Sequence, residues 1–328
     1  MEIGKIPENV LKRSVLKQLK SRRSEIRCGA GLGEDCAILV SEPEKDLLIT
    51  TDPVTGFGQD QTLYAIHRAA NNIAACGGEP VAALLSLLLP PACTEGDLKA
   101  VMAQAESVCA GLRIQIAGGH TEVTAAVNRI VLTVTAVGKV KAGCGKAAGT
   151  LRPGMELVAT KWIGLEGTAF VAKEREEELL ERFPAYLVKE AKGFDRYLSV
   201  IPEAAAAGKS GVCAMTDVSA GGIFGALWEM AESSGVGLDI DLKKIPIRQE
   251  TVEICNYLDL NPYEMISGGS LLAGTENGND LVRALKAEGI WAAVIGKTAA
   301  GKDRVVHNGG EKRFLEPAGA EERRRAIL

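Results

Sequence analysis

The chain has 328 residues and a formal net charge of −4, so it offers no basic field to nucleic acid and would need cations to hold a polyphosphate. Its length exceeds one ordinary domain, and 46% hydrophobic with 24% charged residues is the balance of a globular protein, here of two domains. No apolar run approaches a membrane span and the first residues lack a signal peptide's apolar core, which predicts a cytoplasmic protein with no membrane role.

Val10, Leu11, Val15, Leu16 and Leu19 recur at helical spacing and predict a packing or lid helix over 7–20. Lys20, Arg22, Arg23 and Arg27 follow, as a solvated face or as partners for phosphate oxygens. Then comes Gly29-Ala30-Gly31-Leu32-Gly33-Glu34-Asp35, three glycines at alternate positions running into two carboxylates. Glycines let a backbone approach a bulky anion and offer its N–H groups, while paired acids repel that anion unless a divalent cation lies between them. A magnesium-bound nucleotide meets both demands; a plain surface turn is the competing reading. The spacing is G-x-G-x-G, which is not the dinucleotide fingerprint, and no Walker lysine follows.

Residues 36–40 and 46–51 read as strands, the second delivering Asp52-Pro53 at its end, where open α/β sheets put ligands and where turns also begin. A helix is predicted over 62–76, closing at Gly77-Gly78. It carries Asn71 and Asn72 side by side, at a cost of roughly 1 kcal/mol relative to alanine that invites a functional reason. The run 81–89 suits a strand buried on both faces, and Thr94 with Asp97 caps a helix to Gly111. Residues 114–117 form a strand ending in Gly118-Gly119-His120-Thr121-Glu122, and 129–140 is a long strand rich in Val and Thr.

Glycines and a lack of periodicity mark a boundary near 143–154, dividing the chain into an N-terminal domain 1–142, a linker 143–155, a C-terminal domain 156–310 and a tail 311–328, expected to be frayed from Glu316. In the second domain a strand over 156–162 leads through Gly164-Leu165-Glu166-Gly167-Thr168 into a charged helix, 169–182, and another helix spans 195–207. A strand over 211–216 ends in Asp217-Val218-Ser219-Ala220-Gly221-Gly222 and a helix to Ser234. A short strand at 236–240, a helix at 252–258, the turn Ile266-Ser267-Gly268-Gly269-Ser270 into a strand at 271–273 and a buried strand at 291–295 complete it. The eight cysteines, Cys28, Cys36, Cys76, Cys93, Cys109, Cys144, Cys213 and Cys255, include no C-x-x-C pair and read as reduced, mostly buried thiols.

Four strand ends thus carry one kind of chemistry: Glu34 with Asp35, Asp52, His120 with Glu122, and Asp217. At these places the chain resembles the ATP-binding superfamily of aminoimidazole ribonucleotide (AIR) synthase, which includes the hydrogenase-maturation protein HypE, thiamine-monophosphate kinase and selenophosphate synthetase. Carrying the resemblance are Gly33-Glu34-Asp35-Cys36-Ala37, Thr50-Thr51-Asp52, Asn72 to Pro80, Gly118 to Glu122, Asp217 to Gly222 and Gly268-Gly269-Ser270-Leu271-Leu272, all in the family's order. The HypE-like, AIR-synthase-related subgroup is the most similar.

The resemblance implies an α/β, mixed α+β, two-domain PurM-like fold, a homodimer whose N-terminal domains pair into a β-barrel, and ATP with Mg²⁺ as cofactors. It implies Gly31, Gly33, Asp35, Asn72, Gly118, Gly119, Thr121, Gly221 and Gly222 as nucleotide-binding residues. Glu34, Asp35, Asp52, Glu122 and Asp217 become the metal ligands. The catalytic candidates are Asp217 and His120, the latter a general base by its own chemistry or, alternatively, a hydrogen-bonding replacement for a metal-binding acid with no proton role. The expected chemistry is phosphoryl transfer to, or dehydration of, an amide- or carbamoyl-type oxygen on a small molecule or protein, with a maturation-protein partner. Three departures stand beside it: the chain ends Arg325-Ala326-Ile327-Leu328 where the hydrogenase-maturation proteins end in cysteine, and Asn72 and His120 replace aspartates common in the family. They keep open a nucleotide-binding accessory protein whose chemistry has decayed. A kinase of the thiamine-monophosphate type is a further alternative, opposed by Ala220 where those enzymes carry aspartate.

Overall fold

The computed structural model describes residues 4–5, 8–31, 37–40, 42–56, 58–146 and 148–317. The chain divides into two compact units, one of residues 1–73 and 78–145, the other of 74–77 and 146–328.

In the first unit β1 (Gly4–Lys5) precedes α1 (Glu8–Val10), which runs on as a π-helical turn, Leu11–Val15, and a 3₁₀ turn, Leu16–Gln18. The periodicity at 7–20 is therefore helical but mostly not α, and Ser14, Val15 and Leu19 are its buried residues. Then come β2 (Ile26–Cys28), β3 (Ile38–Leu39), β4 (Lys45–Val54), α2 (Gln61–Ala75), β5 (Glu79–Leu89), α3 (Glu95–Gly111), β6 (Gln115–Val123) and β7 (Val131–Lys141). The sheet order is β1-β6-β5-β7-β4, with β5 and β6 parallel and the other pairs antiparallel. Helix α2 lies on one face, where Ile73 packs so close to Gly138 that any Cβ there would overlap it. The capping box of α3 forms as expected, Thr94 Oγ1 accepting from Asp97 N at 3.2 Å and the Asp97 carboxylate accepting from Thr94 N at 2.8 Å.

Two expectations change here. Asp52-Pro53 lies inside β4 rather than beyond it, because β4 is an edge strand and a proline without an N–H is tolerated there. The 81–89 strand is not buried on both faces, since Leu84, Ser86 and Leu88 alternate as half-exposed residues.

The second unit comprises β8 (Glu156–Thr160), α4 (Leu165–Glu174), α5 (Glu176–Arg182), α6 (Ala185–Lys192), α7 (Ile201–Lys209), β9 (Ala214–Val218), α8 (Gly222–Ser234) and β10 (Gly237–Asp241). It continues with α9 (Gln249–Leu258), β11 (Ser270–Thr275), α10 (Gly278–Ala287), β12 (Ala292–Ala299), β13 (Arg304–Asn308) and β14 (Glu311–Phe314). Its sheet order is β14-β13-β10-β12-β8-β11-β9. Leu157 and Ala159 face α8 with Val218, Ile223, Leu227 and Met230, while Val158 faces α7 and α10 with Val200, Ala204, Leu281 and Leu285. With both faces covered, what β8, β9 and β11 leave for chemistry is their ends. Trp291, expected in the last buried strand, is 58% exposed just before β12. Among the described cysteines, none of which is in a disulfide, only Cys109 and Cys255 are buried, fewer than expected, and burial pushes both thiols up to about 12.

Candidate functional site

In the first unit the site residues are set by strand register. Pairing joins Asp52, Val134, Leu85 and Gly119 in one row across β4, β7, β5 and β6, and Pro53, Thr133, Ser86 and His120 in the next. Successive rows point to opposite faces. Asp52, half-buried, and Thr121, buried, thus share the face under α2, where Asn72 Nδ2 donates to Thr50 Oγ1 at 3.2 Å. His120 and Glu122 lie on the other face, 48% and 35% exposed at their side chains, with Nε2 and Oε2 2.9 Å apart. The motif expected at a strand end is itself strand, and its side chains divide between two faces.

Gly119 makes that strand possible. Its φ is +148°, and a Cβ there would overlap the carbonyl of Leu85. Gly118 has no such constraint, since a Cβ on it would meet nothing nearer than the Leu84 side chain at 3.5 Å.

The glycine loop starts from a fixed stem. Gln115 Oε1 accepts from Arg23 N at 2.7 Å, and the Arg23 guanidinium binds Glu25 at 2.9 Å and Glu79 at 2.6 Å. Lys139 also pairs with Glu25, and Arg23 foremost holds the Glu25 carboxyl well below the usual carboxylate range. Arg23 is therefore committed to carboxylates rather than offered to phosphate. Gly31 is half-buried after this stem, while Gly33, Glu34 and Asp35 lie outside the described residues.

In the second unit three glycine turns meet at the ends of β8, β9 and β11, adjacent strands of the sheet. Half-buried Asp217, the last residue but one of β9, leads to Gly221 and Gly222, with φ of 85° and 62°, and a Cβ on Gly222 would run into the backbone of Tyr263 to Met265. Ahead of β11, Ser267 Oγ accepts from Gly164 N at 2.7 Å and donates to Met265 O at 2.7 Å, and Ser270 Oγ donates to Trp162 O at 2.6 Å. Gly268 lies so close to the buried Glu166 carboxylate that only a hydrogen fits on its Cα, and Gly269 has a φ of +103°. Burial, and then the charge of Asp217, raise the pKa of the Cys76 thiol. No sequence signal singled out Glu166 beyond its place in a Gly-rich turn.

Asp52 supplies the hard oxygen donor that magnesium prefers, whereas the Glu122 carboxylate is engaged by His120 on the opposite face. Among the described residues no group of three or more His, Cys, Asp or Glu side chains is gathered for a metal. The fit of the first unit to magnesium thus rests on Asp52 here.

Comparison with known proteins matches the AIR synthase related protein N-terminal domain to residues 33–140 and the C-terminal domain to residues 152–308. The chain belongs to the AIR-synthase-related family. Among relatives of this family, a putative hydrogenase expression/formation protein of Methanocaldococcus jannaschii is 25% identical over 289 residues, 86% of this chain and 83% of its own. The carbamoyl dehydratase HypE of Rhodobacter capsulatus is 26% identical over 272 residues, 80% of this chain and 78% of its own. Escherichia coli HypE superposes with a TM-score of 0.80 at 21% identity, covering 98% of this chain and 100% of that one. A HypE structure in complex with ATP gives 0.81 at 17% identity, covering 98% and 97%, and a HypE–HypF complex gives 0.70 at 18%, covering 82% and 90%. The expected mixed α/β, two-domain PurM-like fold of AIR-synthase-related, HypE-like proteins is the fold of this chain. Among the described residues no helix is long and apolar enough to cross a membrane.

Proposed function

We propose that this chain is a HypE-like, ATP-dependent enzyme that transfers the γ-phosphoryl group of Mg-ATP to an amide- or carbamoyl-type oxygen and so prepares that group for dehydration. The observation that carries the reading is that Asp52 on β4 and Gly119 and Thr121 on β6 share one face of the first sheet, a carboxylate, a glycine backbone and a buried hydroxyl with two strands between them. The family membership and the relatives named carbamoyl dehydratase support it. Bound magnesium would neutralise phosphate charge, with Asp52 as a ligand in the first unit and Asp35 as the one the resemblance adds there. Thr121 and the Gly118-Gly119 backbone would bind phosphate oxygens, and Gly221 and Gly222 would serve the second unit's share. We assign the nucleotide work to the domains 1–142 and 156–310.

Leu47 and Ile49, 51% and 70% exposed on the open face of edge strand β4, support a homodimer built on this sheet. The HypE–HypF complex supports a maturation-protein partner. One observation favours the accessory reading instead: His120 and Glu122 bind each other on the face opposite Asp52, which speaks against His120 as a base beside a magnesium held by Asp52.

An oxygen-labelling experiment separates the two. With Mg-ATP and an S-carbamoyl cysteinyl peptide carrying ¹⁸O in its carbonyl, phosphoryl transfer to that oxygen sends the label into inorganic phosphate. Nucleotide binding with unlabelled phosphate, or with no phosphate released, would leave only the accessory role.

A further inference from the structure

Lys161, directly after β8, combines two features that each cost stability. Its φ is +52°, a left-handed conformation unfavourable for a residue with a side chain, and it is 7% exposed beside Glu203 at 4%. Its Nζ donates to Tyr197 O at 2.8 Å and Ser199 O at 2.6 Å and pairs with Glu203 Oε1 at 2.8 Å. Desolvation lowers the lysine pKa and Glu203 opposes that shift, while Glu203 Oε2 is buried with no hydrogen-bond partner. Buried ion pairs are commonly replaceable by apolar side chains without loss of stability, so stability does not account for this one.

The two carbonyls that Lys161 grips belong to the turn 197–199, and that turn is the wall behind the second glycine cluster. A Cβ on Gly269 would stand 2.5 Å from Tyr197 O and 3.2 Å from Leu198 Cα. On the other side the Glu166 carboxylate presses on Gly268. The Ser267–Ser270 backbone is held between these walls, and Lys161 fixes the first of them from a buried position.

We propose that Lys161 is a positioning residue: through the turn 197–199 it sets the Ser267–Ser270 backbone, whose Gly268 and Gly269 N–H groups take part in recognising a phosphorylated ligand of the second unit, those of Ser267 and Ser270 being bonded to Ser219 O and Ser267 O. The ligand part of this inference rests on the Mg-ATP reading above, whereas the positioning part does not.

The test is the double variant Lys161→Met/Glu203→Leu, which removes both buried charges together, followed by amide hydrogen exchange. The expected result is a folded protein with a melting temperature near the native one and exchange at the Ser270 amide, bonded to Ser267 O at 3.2 Å, faster by about tenfold or more. Native-like protection at Ser270 in the folded double variant would overturn the proposal. Gly269→Ala runs the coupling in reverse with the ion pair intact and should speed exchange at the Leu198 amide; unchanged exchange there would overturn it as well. Calorimetric titration with Mg-ATP then reads the ligand part, with affinity expected to fall about tenfold in the double variant although neither substituted side chain reaches the ligand. Faster exchange with native affinity contradicts the recognition role alone, and absence of ATP binding by the native protein contradicts the Mg-ATP reading but not the positioning.

Discussion

Two glycine doublets followed by polar residues, Gly118-Gly119 and Gly268-Gly269, look alike in sequence and do opposite things in the fold. The first sits inside β6, where alternation sends His120 and Glu122 to one face and Thr121 to the other. The second makes a turn whose side chains and backbone are locked to Gly164, Trp162 and Glu166. A doublet in a strand distributes chemistry between two faces; a doublet in a turn concentrates it. The difference lies in what approaches the missing Cβ atoms, a neighbouring strand in one case and, in the other, the Glu166 side chain of α4 and the turn 197–199.

The largest effects are expected at the locked turns. Lys161→Met alone leaves Glu203 buried without its cation and should cost about 3–5 kcal/mol in urea unfolding, whereas the double variant described above should cost far less. Gly222→Ala places a Cβ against backbone that has nowhere to move, at a φ of 62°, and should cost about 2–3 kcal/mol. Gly118→Ala, by contrast, meets only an ordinary contact with Leu84 and should change stability by less than about 0.5 kcal/mol. Equal costs at Gly222 and Gly118 would show that what approaches the missing Cβ does not set the cost.

Much of this was legible in the sequence. The two-domain α/β content and the paired Thr94 and Asp97 could be read directly, because capping chemistry and hydrophobic periodicity are local. The division of Gly118 to Glu122 between two faces was not, since it depends on a parallel partner, β5, more than thirty positions away and on the close approach of Leu85 to Gly119. The helix α10 was missed although Asn277 caps it through Asp280 N at 3.2 Å and Leu281 and Leu285 mark its buried face, signals of the kind used elsewhere. Lys161 carried no signal at all: its neighbours Tyr197, Ser199 and Glu203 come from the stretch before and into α7.

Smaller effects sharpen the account of the first unit. Thr94→Ala removes the cap of α3 and should cost about 1 kcal/mol, read as a shift of the urea midpoint at unchanged slope. Glu25 gives a pH dependence of known sign. Its carboxyl is depressed in the folded state, chiefly by Arg23, so its contribution is fully present above the ordinary carboxyl value of 4.5 and is lost as pH falls below it. Glu25→Gln should lower stability at neutral pH and flatten its loss on the acid side; an acid limb as steep as the native one would contradict the ion-pair stem. His120→Asn should have the smallest effect, leaving nucleotide affinity within about twofold, because the imidazole faces away from Asp52.

If Asp52, on the α2 side of the first sheet, holds the magnesium of a bound nucleotide, nucleotide binding depends on its carboxylate. Calorimetric titration of ATP into the native protein and Asp52→Asn, each with and without Mg²⁺, tests it most directly. The expected result is magnesium-dependent binding to the native protein that is lost in Asp52→Asn. Native-like, magnesium-dependent affinity in Asp52→Asn, or no ATP binding by the native protein, would contradict it.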